Sequence, residues 1–203
     1  MIKLDYVICT VKGDDILLRW SELYSECMKC NKCTLANDRT NVVFGEGNIK
    51  ADIMFIGEAP GADEDRTGNP FVGRAGQLLT KGLNSLNLVR ERDYYICNIC
   101  KCRPKNNRTP TEEEAMECIP YLRNQVALVK PKIIVCLGAT SMKYILGKQY
   151  RITRDRGKWF EIKGYYIIGT FHPAAILRDE NKKKFFWQDL KSIKAKYEEF
   201  IKN

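Results

Sequence analysis

The chain has 203 residues, a length that suits a single domain with one substantial hydrophobic core. Its 34 lysine and arginine residues outnumber its 25 aspartate and glutamate residues, and the net charge of +9 favours a polyanionic partner held by a basic surface. No apolar stretch approaches the roughly 18 to 20 residues of a membrane span, and the N-terminus lacks a signal-peptide pattern, so we expect a cytoplasmic protein with no membrane partner.

The predicted elements alternate between helices and strands. Residues 2–8 suggest a short strand, and helical spacing of apolar residues predicts a helix from residue 14 or 15. Apolar runs predict three buried strands followed by a hairpin, at 53–57, 94–98, 131–138 and 158–170. Four further helices are predicted, at 74–88, 111–129, 139–146 and 181–201. We therefore expect an α/β fold in one domain over 1–203, a three-layer α/β/α sandwich with a mostly parallel central four-stranded sheet.

A glycine-rich acidic loop follows the first buried strand and runs from Gly57 to Gly73. Ligands of open α/β sheets bind beyond the carboxyl ends of the strands, so a site is expected here. The loop contains one aromatic side chain and four carboxylates: Phe71, Glu58, Asp63, Glu64 and Asp65. It has no Walker or dinucleotide motif, and its acids would repel phosphate, so we expect a neutral or cationic group to bind. Taken alone, the stretch is equally compatible with a solvated surface turn.

Nine cysteines are many for this chain, and in a reducing compartment they are more often metal ligands, core residues or catalytic thiols than disulfide partners. Four of them form a candidate metal site: Cys30, Cys33, Cys102 and Cys118. Four thiolates suit zinc or an iron–sulfur cluster. Structural zinc sites usually contain two close pairs, whereas only Cys30 and Cys33 are close in sequence, so the spacing favours a cluster slightly.

The remaining cysteines lead to different expectations. Cys97 and Cys136 lie inside apolar strands and are expected to be small core residues. The roles of Cys9, Cys27 and Cys100 stay open, and Cys27 could replace one ligand of the close pair.

His172 is the only histidine of the chain. A lone histidine is more often structural than catalytic, but this one follows the last predicted strand and should lie on the same sheet edge as Glu58. A histidine and a carboxylate at one edge form a candidate acid–base or electrostatic site. A serine-hydrolase triad is not expected, because the chain has no Gly-x-Ser-x-Gly motif.

Seven motifs follow one another between about residues 27 and 195: Cys30-x-x-Cys33-x-Leu35, Arg39-Thr40-x-Val42-Val43-Phe44-Gly45-Glu46-Gly47, Gly57-Glu58-Ala59-Pro60-Gly61, Gly68-x-Pro70-Phe71-Val72-Gly73-x-Ala75-Gly76, Asn98-x-x-Lys101-Cys102-Arg103-Pro104, Cys118-x-Pro120-Tyr121-Leu122 and His172-Pro173-Ala174. In content and order they resemble family 4 of the uracil-DNA glycosylase superfamily, whose members contain a [4Fe–4S] cluster. Only residues 1–26, an N-terminal extension and helix, fall outside the resemblance.

The resemblance implies that the cluster ligands are Cys30, Cys33, Cys102 and Cys118. It also implies a pocket for uracil flipped out of DNA, in which Phe71 stacks on the base, Asn98 reads its pairing edge, His172 donates toward the oxygen that gains charge, and backbone groups of Gly57, Glu58 and Ala59 line the wall. These roles are chemically reasonable, because an enzyme that acts on a base must extract it from the stack. A donor placed where charge develops stabilises the transition state more than the ground state.

The resemblance leaves the group that positions the water open. The best-known family of the superfamily has an aspartate where this chain has Ala59. Glu58 and Glu64 are the candidates, with Asp63 less favoured, and we favour Glu64 over Glu58. The chain also lacks the Lys-Arg-Arg-Ile-His insertion of relatives that trap the abasic sugar covalently, so we predict turnover rather than capture.

We therefore expect a monofunctional hydrolase that releases uracil from single- or double-stranded DNA and leaves an abasic site, the first step of base-excision repair. We expect a monomer, and a sliding-clamp partner stays open. One alternative is a cluster-stabilised DNA-binding or polymerase-associated module without catalysis, which the presence of Glu58, Glu64 and His172 disfavours. The other is a glycosylase for hypoxanthine or mismatched thymine. Asn98 and Phe71 fit uracil, while the group that would exclude the methyl of thymine stays open at this point.

Overall fold

A computed structural model describes residues 19–201, so the predicted strand at 2–8 and Cys9 lie outside the described residues. The elements are, in chain order, α1 (Trp20–Met28), α2 (Leu35–Asp38), β1 (Glu46–Gly47), β2 (Ile53–Gly57), α3 (Ala62–Thr67), α4 (Arg74–Asn84), α5 (Arg90–Asp93), β3 (Tyr94–Asn98), α6 (Glu112–Val129), β4 (Ile133–Leu137), α7 (Ala139–Ile145), α8 (Ile152–Asp155), β5 (Trp159–Ile162), β6 (Tyr165–Thr170), α9 (Pro173–Arg178) and α10 (Lys183–Ile201). None of the described helices is long and apolar enough to cross a membrane.

Six strands form one sheet in the order β1-β3-β2-β4-β6-β5. The four central strands run parallel, whereas β1 and β5 pair antiparallel at the two edges. The expected parallel four-stranded sheet is therefore present at the centre, and the two edge strands extend it. Strand β1 has only two residues, which is too short for its periodicity to be recognised in the sequence.

Helices cover both faces of the sheet, as expected for a three-layer sandwich. Alternate residues of β2 point to opposite faces, so Met54 and Ile56 join one hydrophobic cluster while Ile53 and Phe55 join the other. The first cluster includes residues of α1, α6 and α7, and the second includes residues of α4, α9 and α10. Every residue of β2, β3 and β4 is buried, because these parallel strands are covered on both sides.

Local sequence signals predict the start of α6 correctly and the buried face of α10 only in part. The sequence Thr111-Glu112-Glu113-Glu114 predicts a capping box, and one starts α6: Thr111 Oγ1 accepts from the Glu114 N–H at 3.2 Å and Glu114 Oε2 accepts from the Thr111 N–H at 2.8 Å. In α10 the apolar spacing predicts that Phe185 and Phe186 both face the core, but Phe185 is 37% exposed and Phe186 is 4% exposed. Adjacent side chains of a helix point about 100° apart, so only one of the two is fully covered.

The parallel strands bring four chain segments to one edge of the sheet. Strand β2 ends at Gly57, β3 at Asn98, β4 at Leu137 and β6 at Thr170, with His172 two residues further on. Gly57 and Asn98 are direct partners in the register of β2 and β3. The carboxyl-terminal edge of the sheet therefore collects the residues that the sequence indicated as functional.

Candidate active site

A cavity of about 610 Å³ lies at this edge of the sheet. Residues at or just beyond the ends of all four parallel strands line it, and they include several that the sequence singled out: Glu58, Ala59, Glu64, Phe71, Asn98 and His172. Gly57 lies directly behind the wall, where an added Cβ would approach Asn98 Oδ1 to 2.3 Å and Phe71 Cζ to 2.7 Å. Glycine is therefore required at this position, because any side chain would displace the two residues that form the wall.

Two acids of the glycine-rich loop have structural partners elsewhere. Asp63 is exposed and pairs with Arg66 at 3.5 Å, whereas Asp65 is buried and accepts from the backbone N–H groups of Thr40 and Asn41. Both belong to α3, a short helix in a stretch where the sequence indicated only a loop. Asp63 and Asp65 therefore have structural partners, and neither is among the residues that line the cavity.

Glu64 lines the cavity, but its carboxylate is bonded to the backbone of the loop. Oε1 accepts from the N–H groups of Val72 at 3.0 Å and Gly73 at 2.8 Å, and Oε2 accepts from the Gly61 N–H at 3.1 Å. Hydrogen bonds to an ionised carboxylate are among the strong ones in proteins. Glu64 therefore anchors the two ends of the loop to each other.

Glu58 is held differently. Thr140, in the helix that follows β4, donates its hydroxyl hydrogen bond to Glu58 Oε2. Both residues line the cavity. Whereas Glu64 uses both carboxylate oxygens on the loop backbone, Glu58 is oriented by a side-chain hydroxyl within the cavity itself. Its carboxylate is the better placed of the two to interact with a bound molecule.

Phe71 forms one wall of the cavity. Its side chain is 6% exposed, and its ring centroid lies 5.9 Å from that of His172 with an angle of 34° between the planes. Its φ is +55°, a left-handed conformation that bulky residues rarely adopt. Gly76 in α4 lies against this backbone, and an added Cβ there would approach the Phe71 carbonyl to 2.0 Å. The stacking surface thus depends on an unusual backbone conformation.

Asn98 presents an unpaired acceptor. The residue is 2% exposed, and its Oδ1 has no hydrogen-bond partner among the described residues. Such a buried atom costs roughly 1–3 kcal/mol, so in a cavity wall it marks a place for a ligand's donor. The backbone carbonyl of Asn98 is fixed from behind by buried Lys101, whose Nζ donates to it at 2.8 Å and to Gln125 Oε1 at 2.6 Å.

His172 is a neutral donor at physiological pH. It caps α9, and its Nδ1 accepts from the Ala174 N–H at 3.2 Å. Because Nδ1 accepts, the neutral ring has its proton on Nε2. Burial, together with the nearby charge of Arg178, lowers the pKa of His172 to about 4. The ring therefore offers an N–H to the cavity without a positive charge.

Cationic residues lie along the open side of the cavity. Arg108 and Arg178 are among its lining residues, and both are exposed. Arg108 is bonded to Glu114 through Nη1–Oε2 at 2.8 Å and Nη2–Oε1 at 2.6 Å. These bonds join the basic loop, residues 102–110 between β3 and α6, to α6. A cationic rim around a pocket that contains the Glu58 and Glu64 carboxylates suits a phosphate backbone outside and a neutral or cationic group inside.

A second, smaller cavity is lined by five cysteines: Cys27, Cys30, Cys33, Cys102 and Cys118. Two of the sulfurs accept N–H hydrogen bonds, Cys118 Sγ from the backbone of Lys101 at 3.2 Å and Cys102 Sγ from Arg39 Nη1 at 3.4 Å. Such bonds stabilise thiolates and tune clusters bound through them. The donor set therefore fits a group ligated by cysteine sulfur.

A set of cysteine thiols around one cavity suits either a zinc ion or an iron–sulfur cluster, since both are ligated by four cysteines. Among residues 19–201, no group of three or more histidine, cysteine, aspartate or glutamate side chains is arranged as a formed metal site.

The other described cysteines differ in their surroundings. Cys97 and Cys136 are 0% exposed within β3 and β4, so the prediction that they are core residues is confirmed. Cys100 is buried beside Cys118, and the hydrogen bond between the two thiols lowers the pKa of Cys118. Cys27 is 1% exposed and lies in the wall of the thiol-lined cavity together with the four candidate ligands.

Comparison with known proteins shows the family to which the chain belongs. The model of the uracil DNA glycosylase superfamily matches residues 44–191. A type-4 uracil-DNA glycosylase of Thermotoga maritima is 46% identical over 179 residues, covering 86% of this chain and 93% of the relative. The chain belongs to the type-4 family of this superfamily. Type-4 uracil-DNA glycosylases of Sulfurisphaera tokodaii and Archaeoglobus fulgidus are 45% and 44% identical, covering 85% of this chain in each case and 82% and 90% of the relatives.

The cavity of this type-4 family member also contains residues that sequence reasoning missed: Thr140, Ile152 and Arg178. Thr140 follows the end of β4, so the sheet-edge rule could have found it, although a threonine in Gly-Ala-Thr has no distinctive chemistry. Arg178 lies just before a lysine-rich stretch, where one more positive charge is not conspicuous. The position of α9 beside the cavity is what distinguishes it.

The single histidine makes the protonation of His172 directly measurable. With a pKa of about 4 against an ordinary 6.5, its Hε1 resonance should stay constant from about pH 8 to pH 5.5 and shift only below that. Between these two pKa values the unfolded chain binds a proton that the folded chain does not, so stability should fall as the pH falls. A midpoint near 6.5 in an NMR titration would contradict the burial of this ring.

Proposed function

We propose that this protein releases uracil from DNA by hydrolysing the N-glycosidic bond of deoxyuridine, leaving an abasic site at the start of base-excision repair. The observation that supports this most directly is the unpaired Oδ1 of Asn98 beside Phe71 and His172. Uracil has one N–H donor between two carbonyl oxygens on its pairing edge, which matches an acceptor in this position. The names of the similar type-4 glycosylases support the same substrate.

The base reaches this pocket by leaving the DNA helix. A cavity at a sheet edge cannot admit a base that stays stacked in a duplex, so the nucleotide is flipped out or taken from single-stranded DNA. Arg108 and Arg178 at the rim hold the phosphate backbone, and Phe71 stacks on the base. Stacking on an aromatic ring contributes roughly 1–3 kcal/mol per base.

Asn98 determines the specificity for uracil. Its Oδ1 accepts from uracil N3–H, and its amide group donates to a uracil carbonyl. Cytosine has an acceptor at N3, which would leave Oδ1 without a donor inside a buried wall. Sites built around such hydrogen bonds reject the wrong partner strongly, because the buried group is then left unpaired.

His172 stabilises the leaving base. As the glycosidic bond breaks, negative charge moves onto the uracil ring and its oxygens. The Nε2–H donates to the oxygen that gains this charge, an interaction that strengthens in the transition state. The ring donates as neutral imidazole because burial keeps its pKa low.

Glu58 positions the attacking water and offsets the positive charge of the oxocarbenium-like sugar. We now favour it over Glu64, because the three backbone bonds of Glu64 occupy both of its carboxylate oxygens. Thr140 orients Glu58 through the hydrogen bond at Oε2. Glu64 supports the reaction indirectly by shaping the loop.

A [4Fe–4S] cluster is proposed in the thiol-lined cavity, with Cys30, Cys33, Cys102 and Cys118 as its ligands. When bound, the cluster acts as a structural cross-link between the segment around Cys30, the basic loop and α6. Lys101 and Arg39 donate to two of the ligand sulfurs. The loop that begins at Cys102 continues to Arg108 at the rim of the active-site cavity, so the cross-link supports DNA contact.

The function is tested with an end-labelled oligonucleotide that contains one uracil, followed by hot alkali to cleave abasic sites. Cleavage at uracil, with none at thymine in a matched oligonucleotide, is the expected result. Intact uracil DNA after incubation with brown, iron-loaded protein would exclude the proposed reaction and favour a DNA-binding module or another damaged base.

Asn98→Asp should reduce the preference for uracil. A carboxylate still accepts from N3–H but cannot donate to a uracil carbonyl, so kcat/KM for uracil should fall at least about 10-fold. Asn84→Asp, an exposed change in α4, is the matched control and should leave kcat/KM unaltered. Unchanged selectivity of the Asn98 variant in competition assays would remove Asn98 from base recognition.

Glu58→Gln and Glu64→Gln form a matched pair that separates the two carboxylate roles. Glu58→Gln should lower the single-turnover rate about 100-fold or more while Tm changes little. Glu64→Gln should mainly lower Tm, because an amide nitrogen cannot accept the backbone N–H bonds that the carboxylate accepts. The opposite pattern, with rate lost in Glu64→Gln at unchanged Tm, would return the catalytic role to Glu64.

Cys102→Ser should abolish the cluster, whereas Cys27→Ser should not. The measurements are iron and sulfide content per chain and the visible absorbance of the purified protein. Loss of the cluster should also loosen the basic loop and weaken DNA binding in a gel-shift assay. If Cys27→Ser lost iron as completely as Cys102→Ser, Cys27 would belong to the ligand set, and normal DNA affinity of Cys102→Ser would refute the supporting role of the cluster.

A further inference from the structure

Arg90 is absent from the cavity lining, yet it is bonded to the loop that holds Phe71. Its Nη1 donates to the carbonyl of Pro70 at 2.9 Å, and its Nη2 donates to the carbonyl of Phe71 at 3.4 Å. The first carbonyl belongs to the peptide before Phe71 and the second to the peptide after it. One guanidinium therefore holds both peptide planes that set the backbone conformation of Phe71.

Arg90 is itself held in place. Its Nη1 pairs with Glu46 Oε2 at 2.5 Å, and its side chain is only 11% exposed. Glu46 belongs to β1, which is fixed to β3 by antiparallel pairing with Ile96 and Tyr95. The loop around Phe71 is thus connected through Arg90 to the edge of the central sheet.

Phe71 needs such support because its conformation is unfavourable. A φ of +55° is strained for a bulky side chain and persists only where surrounding contacts impose it. Gly76 supplies the space on one side, since even a Cβ at that position would collide with the Phe71 carbonyl. Arg90 donates hydrogen bonds to this same carbonyl and to that of Pro70. If these bonds were lost, the backbone would relax and the ring would turn away from its place in the cavity wall.

We propose that Arg90, aligned by Glu46, is a positioning residue for base recognition, which keeps the ring of Phe71 in the orientation that stacks on uracil. This inference rests on the proposed function of the cavity. The planar fork of arginine suits the task, because it bonds two carbonyls and a carboxylate at once, whereas lysine has a single ammonium group.

Arg90→Lys is the direct test, with inhibition by free uracil as the main readout because it reports the pocket without DNA contacts. We expect Arg90→Lys to raise the inhibition constant of uracil about 5- to 10-fold, within the range that base stacking supplies. Arg92→Lys is the matched control, since Arg92 lies two residues away in α5, is 66% exposed and pairs with Asp93. It should leave the inhibition constant unchanged.

A double-mutant cycle separates positioning from general destabilisation. In the Phe71→Ala background the ring is gone, so Arg90→Lys should change the inhibition constant by less than about 2-fold. An equal change in both backgrounds, or no change beside an intact Phe71, would overturn the inference. If Arg90→Lys does not fold, Glu46→Gln serves in its place, with an expected rise of about 2- to 4-fold that also disappears in the Phe71→Ala background.

The wild-type protein and Arg92→Lys separate this inference from the function it rests on. Release of uracil by both, together with a normal inhibition constant for Arg90→Lys, would overturn only the role of Arg90. Failure of the wild-type protein to release uracil would overturn the proposed function and this inference together.

Discussion

The register between β2 and β3 determines the arrangement of the candidate site. It sets Gly57 beside Asn98, and the missing side chain at Gly57 leaves the space that Asn98 and Phe71 fill. A shift of one residue would turn Asn98 to the other face of the sheet and away from the cavity. The central, fully buried strands resist such a shift, because every residue of both strands is covered by helices. The chemistry of the site therefore depends on the core beneath it.

Much of this could be predicted from the sequence because it depends on local patterns. Both β2 and β3 have the predicted bounds, since a run of four apolar or aromatic residues followed by glycine or asparagine leaves little freedom in placing a buried strand. Once the strands are parallel, their carboxyl ends share an edge, and that rule brings Glu58 and His172 together without any knowledge of the loops. The thiol-lined cavity is different, because no spacing rule joins Cys30 to Cys118. The cysteine pattern gave these residues only as a candidate metal site, and the resemblance to a family implied that they are cluster ligands.

The roles of the two glutamates could not be separated in this way. Glu64 is eight and nine residues from its partners Val72 and Gly73, and their contact depends on the path of the loop and on α3, a short helix without a strong signal. Glu58 depends on Thr140, which is 82 positions away in sequence. These hydrogen bonds follow from the tertiary structure. The sequence therefore shows that the loop contains acidic residues, but it does not show which carboxylate binds backbone N–H groups.

The strained backbone of Phe71 has a consequence for binding. All of its supports, from Arg90, Gly76 and the Glu64-bonded residues that follow, come from within the protein and do not require a base. The free energy that holds Phe71 in this conformation therefore belongs to folding and does not reduce the free energy of ligand binding. The stacking surface is preorganised, because the side chain of Phe71 has already lost its conformational entropy before a base enters the cavity.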